Sequence, residues 1–181
     1  MGATTRTTTN DSGVHNRGTK DFKTIIAMEM GTDDQVTGGS VIPLCELPPE
    51  AIVTSIKIMN DDLDNGGTDL EMDIGIWKTT KGISLDDILA NEADTEVCDI
   101  DIYVDGMTAL QAAVTTITEY LGTVAGANAV NVDDRYKTVR VLGGVTIGED
   151  PFKYFLGLKT TVNAGTPAAG GVYFEVEWIQ G

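Results

Sequence analysis

Apolar and polar residues alternate with a period of two along the final run of this chain. The same pattern recurs upstream in short runs separated by turn residues. In the run 172–179, Val172, Phe174, Val176 and Trp178 share one face, and Tyr173, Glu175, Glu177 and Ile179 share the other. Successive side chains of a β-strand point to opposite faces, so this spacing predicts a half-buried strand. Just upstream, Asp150-Pro151 opens a second β-rich run at 152–162, and a Gly/Pro/Ala-rich tip at 163–171 separates the two. Two β-rich runs around a turn-rich tip predict a hairpin.

The pattern continues through the rest of the chain. Residues 22–30 predict a strand with Phe22, Thr24, Ile26 and Met28 on one face. Gly38-Gly39 precedes a strand at 40–47, where Pro43 favours a sheet edge or a bulge because it has no backbone N–H to donate. Pro48-Pro49 ends it. Residues 51–59 follow, with Ile52, Thr54, Ile56 and Ile58 opposed to Val53, Ser55, Lys57 and Met59. A turn at 60–67 leads to a strand at 69–77, with Leu70, Met72, Ile74 and Ile76 inward. These two runs predict an antiparallel hairpin.

Residues 78–95 are polar and predict one short helical turn at 84–90, capped by Ser84. Residues 97–104 predict a strand. Met107, Leu110, Val114, Ile117 and Leu121 follow helical spacing and predict a helix over 108–116, against the β-branched run 114–118. Residues 122–134 predict a long loop, and 138–142 and 145–147 predict short strands around Gly143-Gly144. About eight strands with little helix predict a mainly β chain. Its expected form is an antiparallel β-sandwich, jelly-roll-like, with one or two short helices. Residues 21–181 form its single domain. Residues 1–20 hold six Thr, two Asn and three Gly with almost no apolar side chains. They predict a flexible N-terminal arm, either a free end or one that orders on a neighbouring subunit.

Composition narrows the function classes. A hydrophobic fraction of 41% excludes a wholly disordered chain. Twelve Lys plus Arg against 28 Asp plus Glu give a formal charge of −16, which repels phosphate and argues against direct nucleic-acid binding. The basic residues are scattered, and only Arg135, Lys137 and Arg140 stand close together. No run approaches the roughly 20 apolar residues of a membrane-spanning helix, which argues against membrane insertion. Nor does the N-terminal stretch carry the apolar core of a secretory signal. Cys45 and Cys98 are too few for a disulfide framework and read as buried free thiols of a protein made in a reducing cytosol.

Catalytic and cofactor patterns are missing. His15, the one histidine, lies in the Thr-rich arm, which does not offer the rigid setting a general base requires. Paired histidines, a CxxC, a phosphate-binding GxxxxGK[ST] and a GxGxxG are all absent, so no cofactor is expected. One acidic segment deserves weighing. Asn60, Asp62, Asp64 and Glu71 have the one, three, five and twelve offsets of a calcium loop. However, Asn65 occupies the sixth position, where such loops need Gly, and strands rather than helices flank it. The plainer reading is an acidic turn whose Asp and Asn side chains bond their own backbone.

Several segments form a further set of turn and strand signals. They are Ser40-Val41-Ile42-Pro43-Leu44, Leu47-Pro48-Pro49-Glu50-Ala51-Ile52-Val53 and Asp61-Asp62-Leu63-Asp64-Asn65-Gly66-Gly67-Thr68. To these are added the strand 70–77, Ile88-Leu89-Ala90, and Gly165-Thr166-Pro167-Ala168-Ala169-Gly170-Gly171 with its aromatic last strand. Together these segments resemble a family of tailed-bacteriophage virion structural proteins; the likeness spans residues 36–90 and 150–179, and the segment 105–145 is longer than it leads one to expect. The resemblance implies a non-enzymatic capsid decoration or cement protein. Such a protein would be a homo-trimer, would bind the major capsid protein on the exterior of the virion, and would be made in the host cytoplasm. A carbohydrate-binding module or a neck- or tail-associated sandwich of the virion is the alternative.

Overall fold

The structure, a computed structural model, describes residues 7–14, 20–36, 41–80, 95–121, 136–145 and 152–180. Among these residues nine strands form: β1 (Thr7–Val14), β2 (Lys20–Met30), β3 (Ile42–Leu47), β4 (Ala51–Asn60), β5 (Glu71–Thr80), β6 (Thr95–Met107), β7 (Val114–Glu119), β8 (Phe152–Val162) and β9 (Gly170–Gln180). Their cause is visible in the residues: β-branched and aromatic side chains at alternate positions pack well on a pleated, half-buried surface. One sheet has the order β1-β2-β9-β4-β7 and the other β3-β8-β5-β6. Strands β2 and β9, β3 and β8, β4 and β7, and β5 and β6 pair antiparallel. The chain is thus a long hairpin closed at β5–β6 and rolled so that successive rungs fall in opposite sheets, which is the jelly-roll arrangement.

The core lies between the sheets. Ile26, Ile56, Ile58, Phe174 and Val176 come from the first sheet, and Met72, Ile74, Ile76, Leu156 and Leu158 from the second; all ten have no exposed surface. Each side chain buried this completely contributes about 1.5–3 kcal/mol of transfer free energy. A second apolar layer, Val41, Trp77 and Phe155, lies outside that cluster, with the Trp77 and Phe155 rings stacked at 6.3 Å. Cys45 is buried and Cys98 half-buried.

The rolled pairing corrects both expected hairpins. Strands β4 and β5 are consecutive but lie in different sheets, as do β8 and β9. Alternation tells each strand which face to bury but not which strand to pair with. Both connections are therefore crossovers over one end of the sandwich. Within β4, the register shifts between Val53 and Ser55. Ala51 and Val53 are buried before that bulge and Ile56 and Ile58 after it, so Ile52 and Thr54 do not share their face as expected. An inserted residue reverses the alternation downstream of it. Pro43 behaves as expected: β3 is an edge strand, and its register shifts between Pro43 and Cys45.

Two further expectations are overturned. The helix over 108–116 does not form. Its place is taken by a 3-10 turn, Ala109–Gln111, and by β7, because the β-branched run 114–118 prefers an extended backbone. Residues Val139–Leu142 form one helical turn, α1, rather than a strand. Val139 fills the core from it, and the Arg140 N–H donates to the Pro49 carbonyl at 3.0 Å. Within the N-terminal segment, Thr7–Val14 pairs with β2 from Thr7↔Ala27 to Val14↔Lys20. An edge ladder is made of backbone groups and does not require the apolar side chains this segment lacks. The predicted helix at 84–90, the loop at 122–134 and the strand at 145–147 lie outside the described residues, apart from Val145.

Gly157 sits in β8 where no side chain fits. A Cβ there would lie 2.6 Å from the Trp77 ring and 2.7 Å from Val41. Overpacking of this kind displaces both side chains. Gly157→Ala is expected to lower stability by about 1–3 kcal/mol in urea unfolding, with an unchanged m-value.

Candidate functional site

The acidic segment between β4 and β5 organises the crossover end. Asp64 has no exposed surface. Its Oδ2 accepts the N–H of Asp69 at 3.0 Å and of Leu70 at 3.1 Å, and its Oδ1 accepts the N–H of Thr166 at 2.7 Å, on the β8–β9 crossover. Burial alone would raise this carboxyl, but the N–H groups of Thr166, Asp69, Leu70 and Gly165 overcome it and hold the group below its ordinary value. Gly66, at φ 81°, makes the turn beside it, and a Cβ on Gly67 would collide with the Asp64 carboxylate.

The Asn60 and Asp62 side chains also bond backbone groups. Asn60 donates its Nδ2 to the carbonyls of Asp61, Ala109 and Ala112 at 2.6, 3.3 and 3.0 Å, which ties β4 to the 3-10 turn before β7. Asp62 Oδ1 accepts the Asp64 N–H at 3.1 Å. Glu71 begins β5, and its carbonyl accepts the Thr161 hydroxyl at 3.2 Å. Among the described residues no group of three or more His, Cys, Asp or Glu gathers to hold a metal ion. Asp62 and Asp64 bond backbone groups of their own turn, and Asp64 and Asn60 also reach other connections.

Two polar features were not foreseen from the sequence. Asp73 accepts the Gly106 N–H at 2.8 Å, where Gly106 turns the irregular strand β6 at φ 63°. Burial first, and then the Asp105, Asp101 and Glu71 carboxylates, push Asp73 up to about 6. Lys159 stands opposite it in register on β8. On the outer face of the first sheet, Glu175 is held between Lys23 at 2.6 Å and Lys57 at 2.9 Å, and Lys57 also reaches Glu177 at 3.1 Å. Burial raises Glu175, but the two lysines outweigh that and lower it. The alternation of β9 already placed Glu175 and Glu177 on one face; that lysines from two other strands meet them follows only from the sheet order.

Nearby, Glu119 of β7 closes the β4 bulge by accepting the Ser55 hydroxyl and, at 2.9 Å, the Ile56 N–H. Of the three clustered basic residues, Arg140 pairs with Glu50, Lys137 is exposed, and Arg135 lies outside the described residues, as does His15.

No protein-family model matches the chain, and neither does any curated protein sequence. Solved structures do match. A chain of the cyanophage Pam1 capsid asymmetric unit aligns over 94% of this chain and 92% of its own length, with a TM-score of 0.52 and 18% identity. A chain of the capsid of Ralstonia phage GP4 aligns over 88% of this chain and 84% of its own, with a TM-score of 0.56 and 20% identity. At this identity the likeness establishes a common fold.

The two buried carboxylates predict opposite pH behaviour. The lowered Asp64 contributes stability above the unfolded value of 3.8 and loses it as pH falls through its folded value. Asp64→Asn turns an amide donor toward N–H donors, and is expected to cost about 2–4 kcal/mol near neutral pH, with the difference from wild type shrinking in acid. The raised Asp73 binds its proton more tightly when folded, so its contribution is full below 3.8 and is lost as pH rises through about 6. Asp73→Asn keeps an acceptor for Gly106, and is expected to stabilise by about 1–3 kcal/mol at about pH 8 and by nothing below about pH 4. Urea unfolding across this pH range measures both.

Proposed function

We propose that this protein is a non-enzymatic structural component of a bacteriophage virion. In this reading it binds the outer capsid surface as a homo-trimer and stabilises the shell, as a decoration or cement protein does. The observation that carries the reading is a jelly roll shared over nearly its whole length with chains of two phage capsids. The use of polar groups supports it. Asp64, Asn60 and Glu119 are engaged in backbone bonds that hold crossovers and a bulge, as suits a part made for shape. The charge of −16 suits a subunit that stays dispersed until it meets a surface of complementary potential. In this reading residues 1–20 serve as an arm, of which β1 lies along the edge of the chain's own sheet. Many copies on one shell would convert modest contacts into firm attachment through multivalency.

Light scattering of the purified protein, followed by co-sedimentation with empty capsid shells, tests this. A trimer that pellets with shells in a fixed ratio is expected. A monomer that stays in the supernatant overturns the reading, and a glycan array then tests the carbohydrate-binding alternative.

A further inference from the structure

An open groove of about 570 Å³ lies on the outer face of the five-stranded sheet, where β2, β9, β4 and β7 meet. It exists because β7 leaves its ladder. Ile58 pairs with Thr118 and Asn60 with Val114, so Thr115, Thr116 and Ile117 stand opposite Met59 alone. Val114 and Thr115, at the start of this irregular segment, line one side of the groove. Ala27, Met59, Val114 and Tyr173 give the groove an apolar lining, and Met59 keeps 36% of its surface exposed.

One end of the groove is acidic. Asp61 Oδ2 accepts the Gly171 N–H at 2.9 Å, and Glu29 approaches the same glycine. A Cβ at Gly171 would lie 3.3 Å from Asp61 Oδ2 and 3.6 Å from Glu29 Oε1. Neither carboxylate forms an ion pair with a cation among the described residues. An exposed apolar channel ending in two like charges recruits a ligand that brings a cation and apolar side chains together. A second copy of this chain suits it poorly, since a protein of charge −16 would bring more carboxylates to the same spot.

We propose that this groove docks an extended, lysine- or arginine-bearing apolar segment displayed by a capsid protein. The identity of the partner rests on the capsid-binding reading, whereas the chemistry of the occupant rests on the groove alone. Two experiments separate them.

In the first, NMR follows titration of the full chain with a short peptide of alternating leucine and lysine, and with a leucine–glutamate counterpart. The lysine peptide is expected to shift resonances of Ala27, Met59 and Tyr173, and the glutamate peptide to leave them in place. Glu29→Lys should weaken the lysine peptide by about tenfold. Glu46→Lys makes the same charge change on β3 of the other sheet and should weaken it less than about twofold. In the second, the same variants are co-sedimented with empty shells, and the same ranking is expected.

Equal loss in both variants means that only net charge matters and overturns the groove. Peptide binding that discriminates while all variants pellet equally places the capsid contact elsewhere; that overturns this proposal and leaves the capsid reading standing. Failure of the wild-type chain to pellet overturns the capsid reading and, with it, the partner named here. Concentration-dependent dimers abolished by Glu29→Lys would identify the groove as a self-interface and overturn the proposal.

Discussion

The Asp64 carboxylate is the interaction on which the crossover end depends. A jelly roll must carry its chain repeatedly from one sheet to the other, and every crossing leaves backbone N–H groups without ladder partners. A buried carboxylate is the most economical acceptor for several such donors, because its two oxygens offer about four lone-pair directions. Asp64 takes donors from its own turn and from the β8–β9 crossover. The neighbouring bonds complete the tie: the Leu63 N–H donates to the Leu110 carbonyl, the Ala168 N–H to the Leu63 carbonyl, and the Ala164 N–H to the Gln35 carbonyl. Connections far apart in sequence are thus locked around one residue. Desolvating that charge is costly, and the converging N–H dipoles more than offset the cost, as its lowered pKa records.

The strands and their buried faces were legible in the sequence because they depend on local alternation. In β5 and β9 the residues predicted inward are buried, and in β2 Thr24, Ile26 and Met28 are buried while Phe22 is half-buried. Pairing was not legible, because in a rolled hairpin the partners of β2 and β3 lie at the far end of the chain. Bulges were the second blind spot. One inserted residue in β4 exchanges the faces of everything beyond it, and only Pro43 announced such a site. Residues 108–121 show competing signals: apolar spacing suited a helix, β-branching suited a strand, and the free edge beside β4 favoured the strand. Tertiary context decides such ties.

The acidic segment was the part of the candidate site that sequence could find, since its Asp and Asn residues crowd one turn. What they bind could not be found, because the Thr166 donor arrives from about a hundred residues away. Asp73 gave even less warning. It stands on the outward face of β5 like any solvated acid, yet it is buried where β6 slips register three times beside it and the Gly106 N–H donates to its oxygen. The two carboxylates show how one side chain takes opposite electrostatic roles. Four N–H donors make burial favourable for the charged form of Asp64, while one donor and three neighbouring acids make it unfavourable for Asp73.

The sheet edges bear on how such a chain could meet its neighbours. An exposed regular edge invites strand addition, and natural sandwiches blunt their edges with bulges, prolines and twists. Three of the four edges here are blunted: β3 by the shift at Pro43, β6 by three shifts, and β7 by the bulge opposite Met59. The fourth, β1, pairs with β2 over eight consecutive positions without a shift. Among the described residues it is the one regular edge, and it belongs to the Thr-rich segment whose composition gives it little apolar surface to bury. Among the described residues, β1 is therefore the edge best suited to strand addition. The bulge that blunts the β7 edge begins at the residues, Val114 and Thr115, that line the acidic-ended groove.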